Sequence, residues 1–155
     1  MRFRVLTDEE LSHFEEDLKG FLIINGVHHE EWLAMNQNTP EKALALVELF
    51  SDIVLEKVYT KIHYLEHRSK DSLLVFYVQD QSMEMVSFFK KQEGLVDFSA
   101  TESIHQSFLN AADQIGFKKQ ILAFDGPRID EVFKLIEKGC IPSTASFWQS
   151  INQII

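Results

Sequence analysis

The sequence predicts an α+β fold, with helices packed on a small, mainly antiparallel sheet of about three to five strands. Three observations lead there. The chain up to about Tyr59 reads almost entirely as helix. Leu73–Val78 and Met83–Phe89 are two apolar runs rich in β-formers around a short polar loop, which is a hairpin pattern. The remainder mixes helical and extended patterns. Helices first, then strands, then mixed elements is not the strict alternation of a doubly wound parallel sheet.

Met1–Leu6 alternates loosely and reads as a short strand or an extended arm. Thr7 and Glu10 form a capping box, with the hydroxyl and the carboxylate placed to take each other's backbone N–H groups. Leu11, Phe14, Leu18, Phe21, Leu22 and Ile24 or its neighbour then recur at the spacing of one helical stripe, and Asn25-Gly26 supplies a left-handed stop. His28–Met35 reads as a short second helix with Trp32 and Met35 inward.

The stretch from Thr39 to Arg68 is expected to organise the rest. Thr39 suits an N-cap, Pro40 the first helical position, and Glu41 the positive end of the helix dipole. Leu46, Val47, Phe50, Ile53, Val54 and Val58 cover one side of the helix, and Leu44, Leu49 and Leu55 much of the rest. A helix apolar nearly all round is a buried one, so 40–60 is expected at the centre, with Phe50, Ile53 and Val54 nearly inaccessible. Near Thr60 the period changes. Lys61–His67 fits either the last helical turns or a first strand, and its aromatic and β-branched content favours the strand.

After the hairpin, Thr101 or Ser103 starts a helix carrying Ile104, Phe108, Leu109 and Ala112, which Gly116 would end. Gln120–Phe124 reads as a fourth strand. Asp125-Gly126-Pro127 opens a helix with Ile129, Val132, Phe133 and Ile136 inward, stopped by Gly139. Ser143 or Thr144 caps a last helix presenting Phe147, Trp148 and Ile151.

At 155 residues, the chain is expected to form one globular domain over 1–155. Thirteen Phe and two Trp supply ample core material. One cysteine, Cys140, permits no internal disulfide, and Gly139 before it places a buried structural thiol at a helix end. The start of the chain lacks an apolar core for a signal peptide, and no apolar run spans a bilayer; a soluble cytoplasmic protein without membrane contact is expected. The net charge of −9 argues against nucleic acid, whose phosphates call for a basic footprint. It suits either solubility or an acidic face docking on a basic partner.

Several stretches together resemble a family. They are the opening Arg2-Phe-Arg-Val-Leu-Thr-Asp-Glu-Glu-Leu11, Asn25-Gly26 with Glu31-Trp32, Leu49-Phe-Ser-Asp-Ile-Val54, Glu56-Lys-Val58, Tyr64-Leu-Glu-His-Arg-Ser69 and Ile136-Glu-Lys-Gly-Cys140. They resemble a bacterial family of small single-domain proteins of unknown function. Beyond Cys140, Ile-Pro-Ser-Thr-Ala-Ser stands where that family pattern has an Asp-Gly turn. The resemblance implies a soluble bacterial protein and brings no activity, cofactor or catalytic residue with it.

Three patterns touch on chemistry. His63-Tyr-Leu-Glu66-His67 has the H-x-x-E-H form in which two histidines hold zinc and the Glu is the general base. That chemistry needs all three on one helical face and a third ligand. On a strand Glu66 points away from the histidines. Glu102-Ser-Ile-His105 has the E-x-x-H form of di-iron sites but occurs once, and His28-His-Glu-Glu31 reads as a polar first turn. Glu48, Asp52 and Glu56, four residues apart, read as one solvated stripe, as a cation site, or as a carboxylate ridge for the Lys and Arg of a partner. Asp125-Gly-Pro127 lacks the Gly-rich loop of a phosphate site. No cofactor is expected. The function read here is a non-enzymatic interaction or structural module acting on an unknown protein partner or by self-association. The alternative is a small metal-dependent enzyme centred on His63, Glu66 and His67.

Overall fold

The computed structural model describes residues 1–155. It is an α+β fold of seven α-helices and one five-stranded antiparallel sheet. No helix is long and apolar enough to cross a membrane. The chain divides into two compact units, Met1–Val58 and Tyr59–Ile155.

The first unit is helical: α1 (Asp8–His13), α2 (Glu15–Ile24), α3 (His29–Asn38) and most of α4 (Pro40–Thr60). Residues 1–6 are an extended arm rather than a strand, because their donors go to side chains. The Asp52 carboxylate accepts from the N–H groups of Arg2 (2.7 Å) and Phe3 (3.0 Å). The Ser51 hydroxyl, fully buried, accepts from Leu6 N–H (3.0 Å) and donates to the Val47 carbonyl (2.7 Å).

The Thr7–Glu10 capping box forms as expected. The Arg4 guanidinium reaches both oxygens of Glu10 at 2.8 Å. That hydrogen bond first, and the Thr7 N–H next, hold the Glu10 carboxyl at about 2, below its ordinary 4.5. A lowered carboxyl stabilises the fold above its ordinary range and loses that contribution as pH falls toward 2. Both side chains are partly exposed, so the pair contributes under about 1 kcal/mol. Glu10→Gln should flatten the fall in thermal midpoint between about pH 4.5 and 2. An unchanged acid limb would contradict this assignment.

The expected first helix is two helices. Phe14 leaves helical geometry (φ −107°, ψ 24°) and redirects the chain. Because Phe14 is itself a member of the apolar stripe, the spacing carries no trace of the break. α2 closes with Gly26 at φ 79°, Gly26 N–H on the Ile23 carbonyl and Val27 N–H on that of Leu22. A side chain there would be strained, so Gly26 is required by the turn itself.

α4 spans the expected range, but two details differ. The Thr39 hydroxyl donates back to the Met35 carbonyl at 3.4 Å instead of capping α4. The helix is also not buried all round. Phe50, Val54 and Leu55 are buried, while Leu44, Leu49 and Val58 are exposed and Ile53 is 39% exposed. Helix neighbours cover one side only; the aliphatic residues on the other side face water.

The second unit holds β1 (Tyr64–Arg68), β2 (Ser72–Val78), β3 (Ser82–Lys90), α5 (Thr101–Asn110), a 3-10 turn at Ala112–Gln114, β4 (Ile115–Ala123), α6 (Arg128–Glu137), β5 (Ile141–Pro142) and α7 (Ala145–Ile154). The strand order is β4-β3-β2-β1-β5. The segment open to two readings is therefore a strand from Tyr64, and the expected hairpin is β2–β3. One sheet face sets Leu73, Val75, Val86 and Phe88 under Phe98, Ile104, Trp148 and Ile151. On the other face, Leu65, Phe76, Val78 and Met83 are buried, and α6 contributes Val132 and Leu135.

Three sequence expectations change here. Gly116 does not end α5; it lies within β4, which begins at Ile115 rather than Gln120. Its partner across the ladder is Phe89, whose ring lies so close that a Cβ at Gly116 would fall 2.3 Å from it. The glycine is thus a strand position kept bare for an aromatic ring. Strand β5 was not expected: two residues give no period, and pairing with Leu65 and Glu66 creates it. In α6 the buried residues are Glu131, Val132 and Leu135, with Ile129, Phe133 and Ile136 only partly covered.

Arg128 ties the end of α4 and the β2–β3 turn together. Its Nη2 donates to the carbonyls of Ile62 (2.6 Å) and Val78 (3.3 Å), and Nε to that of Gln79 (3.2 Å). A planar fork reaches these acceptors at once; a lysine ammonium does not. Arg128→Lys should cost about 2 kcal/mol in chemical unfolding, comparable to losing one or two charge-assisted bonds. A cost near zero would show that water replaces the fork.

Candidate functional site

The H-x-x-E-H residues are not brought together. His63 precedes β1, and its Nδ1 lies 3.0 Å from Arg128 Nη2. On β1, side chains alternate, so Glu66 and His67 leave on opposite faces of the sheet. No group of three or more His, Cys, Asp or Glu side chains is placed to hold a metal ion. Glu102 and His105 lie on exposed positions of α5.

Glu66, itself buried, instead anchors a partly covered polar cluster. Its Oε1 pairs with Arg68 Nη2 at 3.0 Å, and its Oε2 accepts from the Ser143 hydroxyl at 3.1 Å. Arg68 Nη1 donates to Thr101 Oγ1 at 2.7 Å, and the guanidinium lies 5.3 Å from the Phe147 ring centre. Beside it, the Tyr64 and Tyr77 rings stack at 4.8 Å. Burial, and then Tyr77, push the Tyr64 hydroxyl up from its ordinary value. Glu66 and Arg68 hold β1 to α5 and to the start of α7. The cluster's signal was present in the sequence as the alternation Tyr64, Glu66, Arg68.

On the opposite face a groove of about 510 Å³ opens between the sheet and α6. Leu74, Phe76, Met83 and Met85 form its floor, with His67, Asp125 and Cys140 among its walls. Glu131 is neutralised there by Lys134 at 3.2 Å. Cys140 is buried as expected, and burial pushes its thiol up, away from the reactive thiolate.

The expected ridge of Glu48, Asp52 and Glu56 is not a uniform docking surface. Asp52 is occupied by the N–H groups of the N-terminal arm, as described above. Acidity is nonetheless concentrated here. Residues 1–58 carry twelve carboxylates against five Lys or Arg, while 59–155 carry twelve against ten. Within this acidic unit, α2 and α3 enclose a groove of about 620 Å³. Leu18, Leu22, Ile23, Val27, Trp32 and Leu33 line it, with Glu15, Lys19, His28 and His29 at its polar edges, and Lys19 pairs there with Glu15 at 3.6 Å. Ile24 nearby is 86% exposed, and Leu33 itself 51%. Trp32 and Met35 are half-covered, inward as expected but not sealed. Sequence reasoning missed this groove because the α2 stripe reads as core. Only the packing shows that part of it is left unfilled.

The model of a family of unknown function (DUF6495) matches residues 1–155, and the chain belongs to that family. The match includes the stretch after Cys140. No match is found among curated proteins or among solved structures.

Proposed function

We propose that this DUF6495 member is a non-enzymatic interaction module whose helical unit receives a basic amphipathic helix of a protein partner in the α2–α3 groove. The observation that carries this reading is an open, apolar-walled groove inside the most acidic part of the chain. An amphipathic helix laid in such a groove buries its apolar anchors, and its Lys and Arg meet Glu15 at the groove's edge and the net negative charge of the unit around it. A second copy of the chain is disfavoured as occupant, since it would bring one acidic unit against another.

The test is a titration with a labelled helical peptide of Leu and Lys residues, followed by anisotropy. Binding should weaken as salt rises, because screening cuts the charge attraction. Leu33→Asp should reduce affinity by about tenfold or more, as a carboxylate enters an apolar wall. Leu33 is exposed, so the variant should fold normally. Binding unaltered by that substitution would refute the groove. Duplex DNA or RNA should show no retardation at physiological salt, for lack of phosphate-neutralising charge. Salt-sensitive duplex binding in the micromolar range would contradict the acidic-face reading.

A further inference from the structure

We infer that the outer edge of β4 is a second docking site, independent of the α2–α3 groove, which takes an extended segment carrying carboxylates by strand addition. β4 pairs with β3 on one side only and ends the sheet. The register and the bond from Lys91 N–H to the Gln114 carbonyl fix which backbone groups point inward. Residues 114, 116, 118, 120 and 122 bond to β3. The N–H and C=O groups of Phe117, Lys119 and Ile121 therefore point outward, and no backbone bond within the chain engages them.

Open edges of this length are usually blunted by charged side chains, above all Lys, by a bulge, by a proline or by a covering element, and of these β4 carries only its lysines. Here the ladder runs unbroken from Ile115 to Ala123, without a proline. The side chains beside the free edge are apolar and exposed, Phe117 at 53% and Ile121 at 73%. Between them stand Lys118 and Lys119, one on each face. Lys119 already donates to Asn152 at 3.0 Å and stays exposed.

This pattern defines the partner by charge. Opposite Lys118 and Lys119 it places carboxylates, and opposite Phe117 and Ile121 apolar residues. A second copy fits less well. The register that sets Phe117 of one copy against Ile121 of the other also sets Lys119 against Lys119. Like charges directly opposite destabilise a strand pair.

The probe is a capped peptide with the core Ile-Thr-Glu-Glu-Ile, titrated into the full chain and followed by anisotropy and by amide hydrogen exchange. Binding should protect the amides of Phe117, Lys119 and Ile121, which are otherwise open to water. Ile121→Pro removes one outward donor without touching the β3 ladder, and should weaken binding by about tenfold or more. Lys118→Glu tests the charge without a backbone change and should weaken it likewise. A peptide with Lys in place of both Glu should bind more weakly than the acidic one. Equal binding of the two peptides, no new protection along β4, or self-association of the chain abolished by Ile121→Pro would each overturn the proposal. None of these outcomes depends on the Leu33→Asp result in the first unit.

Discussion

Phe50→Ala should lower the unfolding free energy by about 3–5 kcal/mol, measured by denaturant melts. Phe50 is almost wholly buried in the first unit, and its ring centre lies 5.4 Å from that of Phe21. Truncation removes the transfer energy of the ring and leaves a cavity that the surrounding helices cannot fully close. It also removes a favourable ring–ring contact of about 1 kcal/mol. Ile53→Ala, three residues on, should cost far less because Ile53 is half in water. A Phe50→Ala cost below about 1 kcal/mol would mean that α4 is not packed as described.

Glu66→Ala should have an effect of similar size for a different reason. The carboxylate is buried and is the anionic partner of Arg68, whose Nε has no partner of its own. Removing one half of a buried ion pair strands the other charge, at about 3–5 kcal/mol. The Ser143 hydroxyl loses its acceptor as well. Replacing both members, Glu66→Leu with Arg68→Met, should recover most of the loss, because no charge is then left stranded in the core. If Glu66→Ala and the double variant are equally unstable, the cluster matters for its shape and not for its charge.

These two residues show how unevenly the sequence reveals the molecule. Phe50 was legible because helical periodicity marks a buried face. The α+β class, the β2–β3 hairpin, the Thr7 capping box and the left-handed stop at Gly26 were legible for the same kind of reason, each being a local pattern with a local cause. The misreadings came from non-local causes. Gly116 looks like a helix stop until Phe89, far away in sequence, is seen lying against it. Ile53 looks buried because periodicity counts apolar residues without knowing how many neighbours exist to cover them. Glu66 and His67 looked like parts of one motif, and only strand alternation separates them. The α2–α3 groove is invisible in the chain because an unfilled space has no sequence signature.

The central claim is that a partner helix enters between α2 and α3. The most direct measurement is a map of backbone amide chemical shifts in the isotope-labelled protein as the basic Leu and Lys peptide is added. The account predicts saturable shifts confined to Glu15–Leu33, the segment lining the groove, with the sheet amides of Tyr64–Lys90 unmoved. Shifts centred on the sheet, or none in α2 and α3 at saturating peptide, would contradict it.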